Sequence, residues 1–306
     1  MGRLSNLRIV DPVLTALAVG YMNAQLVADQ LMPFVAVEKE GGKIPLFGKE
    51  HFKLYNTERA LRAKSNRISP EDVGSVDVAM DEHDLEYPID YREDAESAYP
   101  LQARGTNIVV EGIRLRHERM VADMAQNPAN YGAGNKITLA GASCWSDPAS
   151  DPEGVISDAK AAIRAKIVKE PNTMVIGYDT WRLLKKHPQL KAILSDTRPR
   201  LVQIADLKEI FEIENIVVGR AVQANDAGVT SDIWGDTAVL AYVPGAGSSP
   251  RSPYEPSFGY TLRKKGQPVV DTRTEDGKVE LIRNTDIFRP FLLGADAGYL
   301  VSNTRA

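Results

Sequence analysis

The segment from Tyr21 to Ile44, YMNAQLVADQLMPFVAVEKEGGKI, constrains the fold more than any other part of this chain. Leu26, Val27, Ala28, Asp29, Leu31 and Pro33 make a short apolar turn. A strand-like Val35-Ala36-Val37 follows, and Lys39, Gly42 and Lys43 then open a hairpin. No catalytic chemistry needs such an arrangement. It suits a docking segment that leads into a long extended loop.

The rest of the chain must supply what that segment docks on. With 306 residues there is room for one large domain or two medium ones. Hydrophobic residues at 43% and charged residues at 25% are ordinary for a globular chain. A net charge of −4 gives no basic stripe for tight nucleic-acid binding. Cys144 is the only cysteine, which excludes an intrachain disulfide and fits a reducing compartment. Asp11 and Pro12 interrupt the N-terminal apolar run before it could act as a signal sequence. The apolar stretches fall well short of the roughly 18 residues needed to span a bilayer, so neither export nor membrane insertion is expected.

Residues 1–34 read as an arm. Asp11 caps a short helix with Pro12 at its first position, Gly20 ends it, and a second amphipathic turn runs to Leu31. Residues 35–90 lack a helical core pattern and carry a sharp charge division. From Lys43 to Arg67 there are seven Lys/Arg and two Asp/Glu; from Ile68 to Tyr99 there are eleven Asp/Glu and one Arg. Such blocks mark a solvated loop or an interaction segment. A loop this long is usually functional, which favours a protruding hairpin whose basic limb meets an acidic patch on a neighbour.

Residues 106–126 form the strongest helix pattern. Val109, Val110, Ile113, His117, Met120, Val121 and Met124 share one face. Arg114–Glu118 and Arg119–Asp123 read as i,i+4 pairs on the other side. Asn127-Pro128 ends the helix. A second helix starts with Asp151 as cap and Pro152 in the first turn, and buries Ile156, Ala159, Ile163 and Ile167. From Pro171 the character changes to a compact α/β alternation. Thr173–Ile176 is a buried strand, Asp179 caps the helix TWRLLKKH, and a short helix lies within Leu201–Glu212. Ile216–Ala224 and Thr237–Val243 are strands. A Pro/Gly/Ser linker at residues 244–257 leads to strands at Phe258–Arg263, Val269–Thr274, Val279–Arg283 and Gly298–Ser302. Asp276-Gly277 makes a hairpin turn between two of them.

Site chemistry is sparse. His51, His83, His117 and His187 are scattered, without the spacing of a zinc site. His117 reads as a hydrogen-bonded core or interface residue, with pH-sensitive assembly as its other reading. Cys144, beside Trp145, has no candidate base and reads as a small buried hydrophobe. There is no GxSxG, Walker A or GxGxxG. Gly132-Ala133-Gly134 and Gly245-Ala246-Gly247 do not sit between strand and helix as a phosphate turn must. The acidic run Asp81 to Glu86 could bind Ca²⁺ weakly, but it lacks an EF-hand's glycine and spacing. A solvated or subunit-contacting face suits it better. No catalytic residue, metal or cofactor is expected.

The Tyr21–Ile44 segment resembles the N-terminal signature of tailed-phage major capsid proteins with the HK97-type fold. The match continues, in order, through 171–188, 207–219 and 232–243. It implies an α+β fold with five parts. These are an N-terminal arm (1–34), an extended loop (35–90), a peripheral domain beginning with a long spine helix (91–170), an axial domain (171–250) and return strands beside the spine (251–306). It implies a shell protein that self-assembles as hexamers and pentamers, in a virion put together in the host bacterial cytoplasm. Combined with the charge division, it makes Arg59, Arg62, Lys64 and Arg67 the candidate inter-subunit contacts. Lys43, Lys49, Lys53 and Lys64 fall in the loop region, where the HK97 capsid itself cross-links a lysine, but no local motif marks one as reactive and no cross-link is expected. Without a long charged helical N-terminal extension, a separate scaffolding protein is expected, together with a portal and loosely held double-stranded DNA. The alternatives are an encapsulin-type compartment and, from another class, a soluble α/β enzyme built on 171–243.

Overall fold

Two sheets and one long helix carry the fold. The computed structural model describes residues 26–46, 57–59, 64–67, 74–96, 100–194, 201–225, 227–244 and 257–305. The expected helix at Asp11-Pro12, most of the 244–257 linker, and His51, Lys49, Lys53 and Arg62 lie outside these residues.

The described chain opens with the helical turn α1 (Ala28–Leu31) and the strand β1 (Phe34–Val37). A hairpin of β2 (Gly41–Leu46) and β3 (Gly74–Ala79) follows. Then β4 (Asp81–Asp90) and the short α2 (Tyr91–Glu96) lead into α3 (Leu101–Ala125). Next come β5 (Lys136–Thr138), α4 (Pro152–Ile167), β6 (Thr173–Gly177), α5 (Tyr178–Leu184), α6 (Pro188–Ile193), α7 (Ile204–Phe211) and β7 (Asn215–Gly219). A small hairpin of β8 (Val222–Ala224) and β9 (Thr230–Asp232) precedes β10 (Ala238–Ala241). The chain closes with β11 (Gly259–Lys264), β12 (Val269–Glu275), β13 (Val279–Leu292) and β14 (Gly298–Ser302).

The first sheet is built around β13. β12 and β4 both pair with the same stretch of it, Val279 to Thr285, so they must occupy opposite edges. β11 continues the β12 edge, and β1 adds to β11 in parallel. The turn between β12 and β13 is the expected one: Asp276 (φ 50) and Gly277 (φ 69) are both left-handed, and Lys278 N–H donates to Glu275 C=O at 3.1 Å. α3 covers one face, packing Val109 and Val110 on Ile89, Val270 and Ile282.

The acidic run at Asp81–Glu86 is part of a ten-residue strand, not a free loop limb. Leu85, Tyr87 and Ile89 recur every second residue, with His83 in the same phase, which is strand periodicity. The charges between them hid that pattern. Pro88 is tolerated because, among the described residues, β4 pairs on one side only.

The second sheet runs β5-β14-β10-β6-β7, with β6 and β10 wholly buried. Gly298–Ser302, expected with the return strands beside the long helix, pairs with β10 and β5 rather than with β11–β13, while Leu300 still shares a core cluster with Val121 and Ala122 of α3. α4, α5 and α7 cover this sheet with Ile156, Ile163, Trp181, Leu184, Leu207 and Phe211. α4 starts as the sequence predicts, with the Asp151 carboxylate accepting Gly154 N–H at 3.0 Å and Pro152 in the first turn. Asp179 does not cap α5. Strand β6 runs directly into that helix through Gly177, and Asp179 in the first turn pairs with Arg182 (3.0 Å) and Arg305 (3.2 Å). α3 begins at Leu101, earlier than the periodicity predicts. The expected strand over Ile216–Ala224 is interrupted between β7 and β8, where Ala221 C=O is taken by Ile233 N–H.

Candidate functional site

The sequence-predicted contact residues sit on the surface. Arg59, Lys64 and Arg67 are exposed, and Arg62 lies outside the described residues. Asn66 Nδ2 donates to Glu58 C=O at 3.0 Å, which ties the two short stretches 57–59 and 64–67 together. Lys43 pairs loosely with Asp77 at 3.7 Å across the base of the β2–β3 hairpin.

A row of acidic side chains stands on the outer face of the first sheet. Along β4, Leu85 and Tyr87 lie against Gly112 and Gly105 of α3, and Ile89 is in the core. The alternate residues Glu82, Asp84 and Glu86 therefore point away from the helix, and all three are exposed. Part of this charge is answered within the chain. Arg273 pairs with Glu86 at 3.1 Å, and the Thr285 hydroxyl donates to Asp84 at 3.3 Å.

The Glu118 side chain is not an exposed partner for Arg114. Glu118 is 1% exposed, and its carboxylate collects three donors from distant parts of the chain. Val27 N–H reaches its two oxygens at 3.1 and 3.0 Å, Ala28 N–H donates at 2.8 Å, and Trp234 Nε1–H at 2.6 Å. Burial raises the Glu118 pKa, and the three hydrogen bonds oppose that rise. Around this point Val27, Ala28, Leu31 and Met32 pack on Val121 and Ala122 of α3, Val175 of β6 and Val239 of β10.

Two glycines make room for Trp234. Gly177 and Gly219 are register partners at the ends of β6 and β7. A Cβ on Gly219 would fall 2.2 Å from the Trp234 ring, and one on Gly177 would fall 1.6 Å from the Gly235 carbonyl oxygen. Gln126, at the end of α3, holds the same loop: it donates to Ile233 C=O at 2.9 Å and accepts from Gly235 N–H at 2.8 Å. The sequence carries a trace of this arrangement in two apolar runs that each end in glycine, MVIG and IVVG. A Glu on a long amphipathic helix carries no comparable sign.

One residue earlier on α3, His117 anchors the next part of the N-terminal segment. The Thr261 hydroxyl donates to Met32 C=O at 3.0 Å, so it accepts from His117 Nε2–H at 2.8 Å. That leaves Nδ1 without a proton. It stands 3.6 Å from the Asp29 carboxylate, but burial first, and then Arg263, His83 and Arg114, push the His117 pKa down to about 3. The contact is therefore not an ion pair at neutral pH. The Phe34 ring is held between His117 (centroids 4.6 Å) and the Arg263 guanidinium (3.5 Å). Arg263 in turn pairs with Asp286 at 2.9 Å. Burial raises Asp286 to about 6 although Arg263 opposes the rise.

Elsewhere the polar groups do structural work. Cys144 is fully buried. His187 is 2% exposed beside the Ser150 hydroxyl (3.1 Å), which itself donates to Asp147 C=O. Among the described residues no three His, Cys, Asp or Glu side chains are grouped to hold a metal ion, and no helix is long and apolar enough to cross a membrane.

A family model described as phage major capsid protein E matches residues 28–305. A major capsid protein of Burkholderia phage BcepMu is 62% identical over 303 residues, covering 99% of both chains. The crystal structure of a phage-related protein from Bordetella bronchiseptica RB50 is 36% identical, covers 97% of this chain and 98% of that one, and superposes with a TM-score of 0.81. The mature capsid of bacteriophage PhiM1 shares only 12% identity but covers 92% of this chain and 88% of that one, with a TM-score of 0.57. At that identity the likeness concerns the fold alone.

Proposed function

The chain belongs to the phage major capsid protein E family, and on that premise we propose how its copies are joined. It is a phage major capsid protein, a structural protein of the virion with the HK97-type fold, and its copies self-assemble into the shell around the genome.

The proposed contact runs from the basic limb of the loop, Arg59, Arg62, Lys64 and Arg67, onto an acidic surface of a neighbouring copy. The observation that supports it is exposure: Arg59, Lys64 and Arg67 are all on the surface, and so is the acidic row of β4. An exposed ion pair contributes only about 0–1 kcal/mol. The strength of the shell must come from repeating modest contacts over many copies. Replacing all four basic residues by Ala is therefore expected to abolish or deform shells in negative-stain electron microscopy, with the circular dichroism of the subunit unchanged. Normal shells from that variant would overturn the contact.

The proposed division is an arm (1–34), an extended loop (35–90) whose last strand β4 is built into the first sheet, a peripheral domain (91–170 and 251–306) and an axial domain (171–250) to whose sheet β14 of the return strands is added. Hexamers and pentamers are the proposed building units, assembled in the host cytoplasm with a separate scaffolding protein and a portal. The net charge of −4 suits loose, non-specific contact with the enclosed double-stranded DNA. The role is structural, and no residue is assigned a catalytic step. Expression of this chain alone should give aberrant or few shells, and coexpression with the scaffolding gene should restore uniform ones. Uniform shells from the chain by itself would remove the scaffold from this reading.

A further inference from the structure

We propose that Glu118 is a conformational lock: its carboxylate holds the N-terminal segment, α3 and the loop before β10 in one arrangement, and its loss releases residues 26–31 while both sheets stay folded. The carboxylate is the acceptor for Val27 N–H and Ala28 N–H on one side and for the Trp234 indole on the other. These groups belong to elements far apart in sequence, and Glu118 reaches them from the middle of α3. The segment it holds bridges the two sheets. α1 packs against β6 of the second sheet, and β1 adds to β11 of the first.

The other anchors show what the lock alone controls. The loop before β10 has its own tether in Gln126 and its own seat on Gly177 and Gly219. Residues from Met32 onward are held separately: the Thr261 hydroxyl bonds Met32 C=O, and Thr261 N–H bonds Pro33 C=O. The amides at the start of α1 depend on Glu118. A buried carboxylate is an expensive way to satisfy amide donors, because its charge is taken out of water, which is also what raises its pKa. Its value lies in geometry, since two oxygens can take donors from two directions at once. A glutamine there keeps one acceptor oxygen but turns an amide N–H₂ toward the same donors.

Hydrogen exchange of the full-length unassembled chain at pH 7.5 tests this. Glu118→Gln should speed exchange in residues 27–31 at least tenfold and leave residues 173–177 and 238–241 of the second sheet and 281–288 of the first at wild-type rates. Trp234→Phe keeps the ring and removes one donor, and should speed the same segment to a smaller extent. Unchanged exchange in 27–31 would overturn the lock. So would an equal rise in both sheets, which is general destabilisation. If Glu118→Gln does not fold, Trp234→Phe decides, with a rise confined to 27–31 supporting the lock and none refuting it.

Discussion

Gly177→Ala is expected to leave little folded subunit. The new Cβ would lie 1.6 Å from the Gly235 carbonyl oxygen, 2.9 Å from its carbon and 3.1 Å from the Trp234 carbonyl oxygen. These are backbone atoms, so no rotamer change relieves the overlap. The loop that must move is fixed by Gln126 through Gly235 N–H and Ile233 C=O, and by the Trp234–Glu118 bond. Moving it also pulls on the Gly177 N–H to Thr237 C=O bond that joins strand β6 to the same loop. Overpacking of this kind costs about 3 kcal/mol, and more when buried hydrogen bonds break with it. Urea unfolding should show the loss, or the protein should be insoluble. Gly134→Ala, with nothing within 4 Å of its Cβ, is the control and should change stability by less than about 0.5 kcal/mol. A Gly177→Ala urea midpoint equal to wild type would mean that the loop can lift off β6 freely.

His117→Gln and Asp286→Asn are expected to shift stability in opposite directions as the unassembled subunit is acidified. His117 has a folded pKa of about 3 against an ordinary 6.5. The unfolded chain therefore takes that proton first. Its contribution is complete above pH 6.5 and is lost as pH falls toward 3, at about 1.4 kcal/mol per pH unit. Asp286 has a folded pKa of about 6 against an ordinary 3.8, so the folded chain holds its proton more tightly. Its contribution is complete below pH 3.8 and is lost as pH rises through 6. The two oppose each other over most of the same window. Both groups sit against Arg263, with Arg114 on α3, Asp29 on α1 and His83 on β4 nearby. Between pH 7 and 4.5, the advantage of wild type over His117→Gln should shrink by about 3 kcal/mol. Its advantage over Asp286→Asn should grow by about 2 kcal/mol. Gln at 117 can still donate to Thr261, so the comparison isolates the ring's titration. Parallel stability curves for the three proteins would contradict the assignment.

The elements that were legible in the sequence are those whose signal is local. Asp151-Pro152 starts α4 because a capping carboxylate and a proline act on the next turn. Asp276-Gly277 makes its turn because both residues tolerate a left-handed backbone. α3 was visible from its apolar stripe, although not its first turn. β4 carries no clear strand signal in the sequence because its apolar residues alternate with acids, and the charge run masks the alternation. Of the four basic candidates, Arg59, Lys64 and Arg67 are exposed as a contact surface requires.

The sequence by itself determined the family, the two long helices and the main strands after Pro171, because ordered local patterns act along the chain. Tertiary structure alone decided the position of Gly298–Ser302, which joined the second sheet because strand pairing is a contact between distant segments. It alone decided the fate of Glu118 as well. On the helix, Glu118 looks like one more exposed acid four residues from an arginine. Whether such a side chain meets water or three buried donors depends on what packs over it, and Val27, Ala28 and Trp234 arrive there from opposite ends of the chain.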